Sequence, residues 1–206
     1  GSEEYIQANG GGASKIWVVP NGVDLEQRPS ISENHQGPFT LIYFGAHGLY
    51  SGLSVVIDAA GILRDKGWSS SDVRFILIGD PPKGDIEKRM RQIDVEAYVD
   101  LRPAVPKRQL WAEINSADAF LMIAKPLEAH KRGISPNKMW EYFAAGKPVL
   151  FSIYGGDIMV ERSQAGISVE PGCPRALANA VEWLAGLPSY EREALGKRGR
   201  KYPLQA

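Results

Sequence analysis

The sequence predicts an α/β domain built on a parallel sheet of about six strands. Three observations carry that reading. From Phe39 onward, short apolar runs alternate with helical patterns at spacings that leave room for crossover helices. Between them, apolar residues recur at three- and four-residue intervals, as in Leu53, Val56, Ile57, Ala60 and Leu63. The runs stop at turn sequences such as Gly45-Ala-His-Gly48 and Gly79-Asp-Pro-Pro82. At 206 residues the chain is about one domain, long enough to bury a substantial core.

The elements follow in order. Ser2–Ala13 has a turn or two of helical character broken by Asn9-Gly-Gly-Gly12, and reads as an arm or linker. Ile16–Val19 is a short strand signal ending at Pro20-Asn-Gly22, and 30–38 is polar and loop-like. Phe39–Phe44 is the first core strand and Ser51–Lys66 an amphipathic helix. Val73–Ile78 is the second strand, Asp85–Ile93 a charged helix, and Ala97–Leu101 a weaker third strand. A helix over Lys107–Ser116 leads to the fourth strand at Ala119–Ile123. Ser135 suits an N-cap, Pro136 the first helical position and Gly146 a terminator, which frames a helix over Pro136–Ala145 before the strand Pro148–Ser152. A helix through Gln164, a short strand at Ile167–Val169, a helix at Arg175–Gly186 and a charged helical tail at Ser189–Tyr202 complete the chain.

Composition removes several classes of function. Lys plus Arg and Asp plus Glu are both 24, so zero formal net charge implies no general attraction to nucleic acid or to an anionic membrane. The single cysteine, Cys173, excludes an intrachain disulfide and a cysteine-based zinc site, which suits a reducing cytosol. No apolar run approaches the roughly 20 residues of a membrane span, and Gly1-Ser2 reads as a cloning remnant. There is no H-E-x-x-H motif, no clustered carboxylate metal site and no recognisable Ser/His/Asp set.

Ligands of such sheets sit outside the carboxyl ends of the strands, which selects the loops 45–52, 79–84, 103–106 and 124–138. The capped start of the helix at Ser135-Pro136 points the free amides of Asn137 and Lys138 at any anion, with Arg132 and Lys138 close by. His130, Lys125 and Lys131 extend the cluster. Gly45-Ala-His-Gly-Leu-Tyr-Ser-Gly52 is a glycine-rich strand-to-helix loop whose amides can approach a phosphate, with His47 as a further donor. It lacks the G-x-G-x-x-G spacing of dinucleotide oxidoreductases. Glu141 stands on the side of its helix that carries Lys138 and Ala145, away from Met139 and Phe143, and a carboxylate there can accept from two adjacent ribose hydroxyls. Each feature alone has an ordinary reading, as a tight turn, an exposed histidine or a solvated glutamate.

Three stretches together resemble the retaining glycosyltransferases of the large group-1 type, with the GT-B fold. They are Val18-Val-Pro-Asn-Gly-Val-Asp24, Phe75-Ile-Leu-Ile-Gly-Asp80 and Ser135-Pro-Asn-Lys-Met-Trp-Glu-Tyr-Phe-Ala-Ala-Gly-Lys-Pro-Val149, in the family's order and covering about Ile16 to Leu195. The resemblance implies a Rossmann-like three-layer domain, one half of a GT-B fold, that binds a nucleotide-sugar. On that reading 1–15 is an arm from the absent amino-terminal acceptor half, 16–187 the nucleotide-sugar-binding domain and 188–206 the tail. The isolated half is expected to be inactive as a transferase.

The family's paired glutamates lie seven residues apart, the first meeting sugar and the second ribose. Glu141 matches the second, while Gly133 occupies the place of the first. Many members carry a basic residue before the last glycine of the loop, where this chain has Ser51, and Arg132 and Lys138 supply positive charge instead. The Pro-x-Lys-x-x-Glu variant resembles a bacterial subgroup that builds surface polysaccharides from amino-sugar donors. The implied site comprises Glu141, Lys138, Asn137, Pro136, Ser135, Gly133, Arg132, Gly48, His47, Gly45 and Val105, the last in the loop expected to read uracil. The resemblance implies a UDP-sugar donor, no metal or other cofactor, no nucleic acid or membrane contact by this half, and a cytoplasmic enzyme at the inner membrane face. A sugar-nucleotide epimerase of the same two-halved fold and a non-catalytic flavodoxin-like interaction module are the alternatives.

Overall fold

A computed structural model describes residues 7–8, 37–48, 50–80, 85–128, 130, 137–154 and 158–202. The strand expected at Ile16–Val19 and the proposed cap at Ser135-Pro136 lie outside them.

Six strands form one sheet: β1 (Phe39–Phe44), β2 (Val73–Gly79), β3 (Val99–Pro103), β4 (Ala119–Ile123), β5 (Val149–Ser152) and β6 (Gly166–Ser168). Their order is β3-β2-β1-β4-β5-β6 and every pairing is parallel. The helices are α1 (Leu53–Asp65), α2 (Asp85–Gln92), α3 (Lys107–Ile114), α4 (Asn137–Ala145), α5 (Ile158–Ser163), α6 (Pro174–Gly186) and α7 (Ser189–Lys201). This is the Rossmann-like α/β architecture expected from the alternating pattern.

The continuous apolar runs are explained by two-sided burial, because successive strand residues face opposite layers. Leu41, Phe75, Leu77 and Leu121 pack with α1, α2 and α6, while Ile42, Phe44, Ile76, Phe120 and Phe151 pack with α3, α4 and α5. Full burial of one such side chain contributes roughly 1.5–3 kcal/mol.

Strand β3 begins two residues later than the sequence suggests. Asp94 adopts a left-handed conformation (φ 51°) and the Tyr98 amide bonds back to the Val95 carbonyl, so the chain is still turning there. The strand runs on to Pro103, which the edge position tolerates because one side needs no N–H donor.

The segment expected as a charged tail forms α7 and lies along the amino-terminal edge of the sheet. Arg192 sits over the Phe39 ring at 5.5 Å, and Arg198 Nε donates to the Gln164 carbonyl at 2.8 Å. Gly196 is pressed on Gly146, where a Cβ would stand 1.9 Å from the carbonyl oxygen. The opposite, carboxyl-terminal edge carries the loops selected above. No helix among the described residues is long and apolar enough to cross a membrane.

Candidate functional site

The strand order reverses between β1 and β4, whose following chain segments leave in different directions and open a crevice at the carboxyl edge. A cavity of about 380 Å³ lies there. Tyr43, Ala46, Gly48, Tyr50 and Ser51 line it from β1 and its loop; Met122, Ile123, Ala124 and His130 from β4 and its loop; Lys138 from α4; and Ile153 from the end of β5. The two loops are tied together by the Lys125 amide donating to the Tyr50 carbonyl at 3.0 Å.

Lys138 is the central cation. Its ammonium donates to the Tyr43 hydroxyl at 3.2 Å and stands 4.5 Å from the centroid of that ring. The phenol in turn donates to the Ala46 carbonyl at 2.9 Å. Burial pulls the lysine down to about 8, against the nearby Glu141 carboxylate, which favours the charged form. Burial pushes Tyr43 up to about 12, so the phenol stays a neutral donor. The lysine reaches this place by crossing the backbone of Gly45: a Cβ there would stand 1.9 Å from its Nζ, and φ is +141°, a conformation that L side chains rarely adopt. Gly45→Ala is therefore expected to eject the ammonium into water and return its titration toward 10.5, measurable from the Lys138 side-chain resonances against pH. A titration left near 8 would show that Gly45 does not seat it.

His47 lies against Gly79, whose missing side chain leaves room for the ring: a Cβ at 79 would come within 2.7 Å of His47 Nε2. Both ring nitrogens are buried; they face the backbone of Ile78 and Asp80 but complete no hydrogen bond. Burial lowers the imidazole pKa, the Asp80 carboxylate opposes this and Lys138 adds to it, so the ring is neutral near pH 7. His130 Nδ1 is likewise buried without a partner.

The other expected residues fall as follows. Glu141 is half-buried one turn along α4 from Lys138, near that ammonium but outside the lining of the cavity. Asn137 is exposed at the start of α4. Val105 is half-buried and packed on the second core layer, away from the cavity lining. Arg132, Gly133, Ser135 and Pro136 lie outside the described residues. Ala145, on the same side of the helix as Glu141, is buried at 5% exposure. Tyr43, Tyr50, Met122 and Ile153 line the cavity without having been singled out in the sequence, where they read as ordinary strand or loop residues. Among the described residues no cluster of three or more His, Cys, Asp or Glu is arranged to hold a metal ion.

Comparison with known proteins places this geometry in a family. WcaL of Escherichia coli K12, whose name assigns it provisionally to colanic acid biosynthesis as a glycosyltransferase, is 27% identical over 203 residues, covering 95% of this chain. The chain spans about half the length of that relative, 48%. Among solved structures, Anabaena HepE in complex with UDP and glucose superposes with a TM-score of 0.76 at 19% identity, over 99% of this chain and 56% of its own. The carboxyl-terminal domain of the group 1 glycosyl transferase LpcC from Francisella tularensis aligns over 97% of its own length and 89% of this chain, with a TM-score of 0.69 at 16% identity. The sequence model of glycosyl transferases group 1 matches residues 38–186. The chain thus belongs to the group 1 glycosyl transferases and has the fold of the carboxyl-terminal half of a GT-B enzyme.

Proposed function

We propose that this chain is the donor-binding half of a retaining glycosyltransferase that takes a sugar from a UDP-sugar and passes it to a glycan or lipid-linked acceptor in surface polysaccharide synthesis. The observation that carries the reading is Lys138, a half-buried cation at the switch-point crevice one helical turn from Glu141. Burial of an ammonium is costly unless an anion arrives, and a diphosphate supplies that anion. The UDP complexes of HepE support the choice of nucleotide.

In this reading Lys138 faces the diphosphate and Glu141 accepts from the ribose hydroxyls. As the anomeric carbon–oxygen bond breaks, its electron pair stays on the β-phosphate, and the ammonium stabilises that growing charge. The acceptor hydroxyl then attacks from the face the leaving group vacates and hands its proton to the departing β-phosphate oxygen, which retains configuration. His47, whose ring nitrogens are buried against the backbone of Ile78 and Asp80, would reach a phosphate or sugar oxygen only by turning its ring toward the cavity. Acceptor recognition belongs to an amino-terminal half, as the coverage of WcaL suggests.

Calorimetric titration of the 206-residue chain with UDP, in buffer containing EDTA, tests the proposal. Saturable binding is expected, together with about 2.7 kcal/mol of added stability at 100 times the dissociation constant. Absence of binding at millimolar UDP would sink it. Competition between UDP-glucose and UDP-N-acetylglucosamine then asks whether the donor is an amino sugar.

A further inference from the structure

Strands β1 and β4 pair over Leu41 with Ala119 and Ile42 with Phe120, and the ladder stops there. On its other side β1 stays paired to β2 as far as Phe44 with Ile78, and β4 stays paired to β5 as far as Ile123 with Ser152. The separation is therefore local to one seam. In a parallel ladder of this register the next rung would run from the Phe44 N–H to the Leu121 carbonyl, since each amide reaches the carbonyl one residue before its partner.

That rung is occupied by a side chain. The Phe44 N–H donates to Tyr142 Oη at 3.3 Å, and the same hydroxyl donates to the Leu121 carbonyl at 3.1 Å. Two bonds in series thus replace one of about 2.9 Å. The ring cannot swing aside, because it is fully buried, stacked on Phe120 at 4.4 Å and 7°, and edge-on to Phe44 at 4.8 Å and 78°. Burial also keeps the phenol protonated and able to donate.

We propose that Tyr142 is a positioning residue whose hydroxyl, inserted into the β1–β4 ladder, holds the carboxyl ends of the two strands apart and so sets the width of the crevice that takes the nucleotide diphosphate. Without that hydroxyl the Phe44 amide and the Leu121 carbonyl are buried and unpaired, and the cheapest remedy is to pair with each other. Closure of the rung draws Tyr43 and Lys138 toward Met122 and Ile123, across the cavity they line. The identity of the ligand rests on the function proposed above; the spacing of the strands does not.

Tyr142→Phe in the 206-residue chain provides the test, read in two ways. The through-hydrogen-bond NMR coupling between the Phe44 amide nitrogen and the Leu121 carbonyl carbon is expected to be absent in the wild type and present in the variant. The UDP dissociation constant is expected to rise at least tenfold. No coupling in the variant, or an affinity within twofold of wild type, overturns the proposal, since a merely structural tyrosine would lower the melting temperature without moving either. Should the variant fail to fold, the wild type decides: a direct coupling across that rung refutes the spacer, and a slowly exchanging Tyr142 hydroxyl proton with a cross-peak to the Phe44 amide supports it. Failure of the wild type to bind UDP would strike the functional reading, while the coupling still reports the rung.

Discussion

Glu141→Ala is expected to weaken UDP binding about a hundredfold while leaving the fold intact. A carboxylate that accepts from two ribose hydroxyls makes two charge-assisted hydrogen bonds, each contributing roughly 1.5–3 kcal/mol. Losing both costs about 3 kcal/mol or more, and each 1.4 kcal/mol is about tenfold in affinity. The side chain is only half-buried on a helix, so its removal should change stability by no more than about 1 kcal/mol. The discriminating ligand is 2′-deoxy-UDP: it should bind wild type more weakly than UDP does, and the difference should shrink in the variant. If UDP affinity is indifferent to Glu141→Ala, the ribose assignment is wrong.

The second large effect concerns Lys138, and it has opposite signs for binding and for stability. Its folded-state pKa is lowered from 10.5 to about 8, so the folded protein holds fewer protons than the unfolded chain between those values. The burial penalty is fully present below pH 8 and is relieved as pH rises toward 10.5, so this group makes the protein more stable with rising pH across that window. Binding runs the other way, because the diphosphate needs the ammonium. UDP affinity is expected to fall as pH rises past about 8. Lys138→Met, which keeps most of the unbranched stem but not the charge, is expected to lose roughly 2–3 kcal/mol of UDP binding and to flatten that pH profile. The same change should raise the melting temperature near pH 7, by up to about 3 kcal/mol of stability, since a desolvated charge has gone. A variant that loses stability at pH 7 and keeps wild-type affinity would contradict both parts. Such a trade is usual where binding requires a group the fold alone would exclude.

Much of the fold is legible in the sequence. The four inner strands, β1, β2, β4 and β5, stand out as apolar runs because a sheet covered on both faces buries nearly all of their residues, whereas the half-buried edge strands β3 and β6 give weaker signals. The start of β3 was misplaced because a non-glycine residue in left-handed conformation, Asp94, extends a turn that composition does not mark. Packing on the lysine face was equally hidden. The sequence puts Lys138 in an anion site at a helix start, and only the packing of α4 against β1 brings it over Gly45 and onto Tyr43.

The local features follow from chemistry that neighbours in sequence share: glycine loops, helix periodicity and the spacing of Lys138 and Glu141 are properties of contiguous residues. The family resemblance was legible for the same reason, since its motifs are contiguous. The strand order, and with it the crevice between β1 and β4, depends on contacts between residues 98 and 21 positions apart, such as Tyr142 with Phe44 and with Leu121. No local pattern encodes such pairings, because the free energy that selects them comes from burying whole faces against one another. Tyr142 accordingly reads in the sequence as one more core aromatic, and only the tertiary structure turns its hydroxyl into part of a strand ladder.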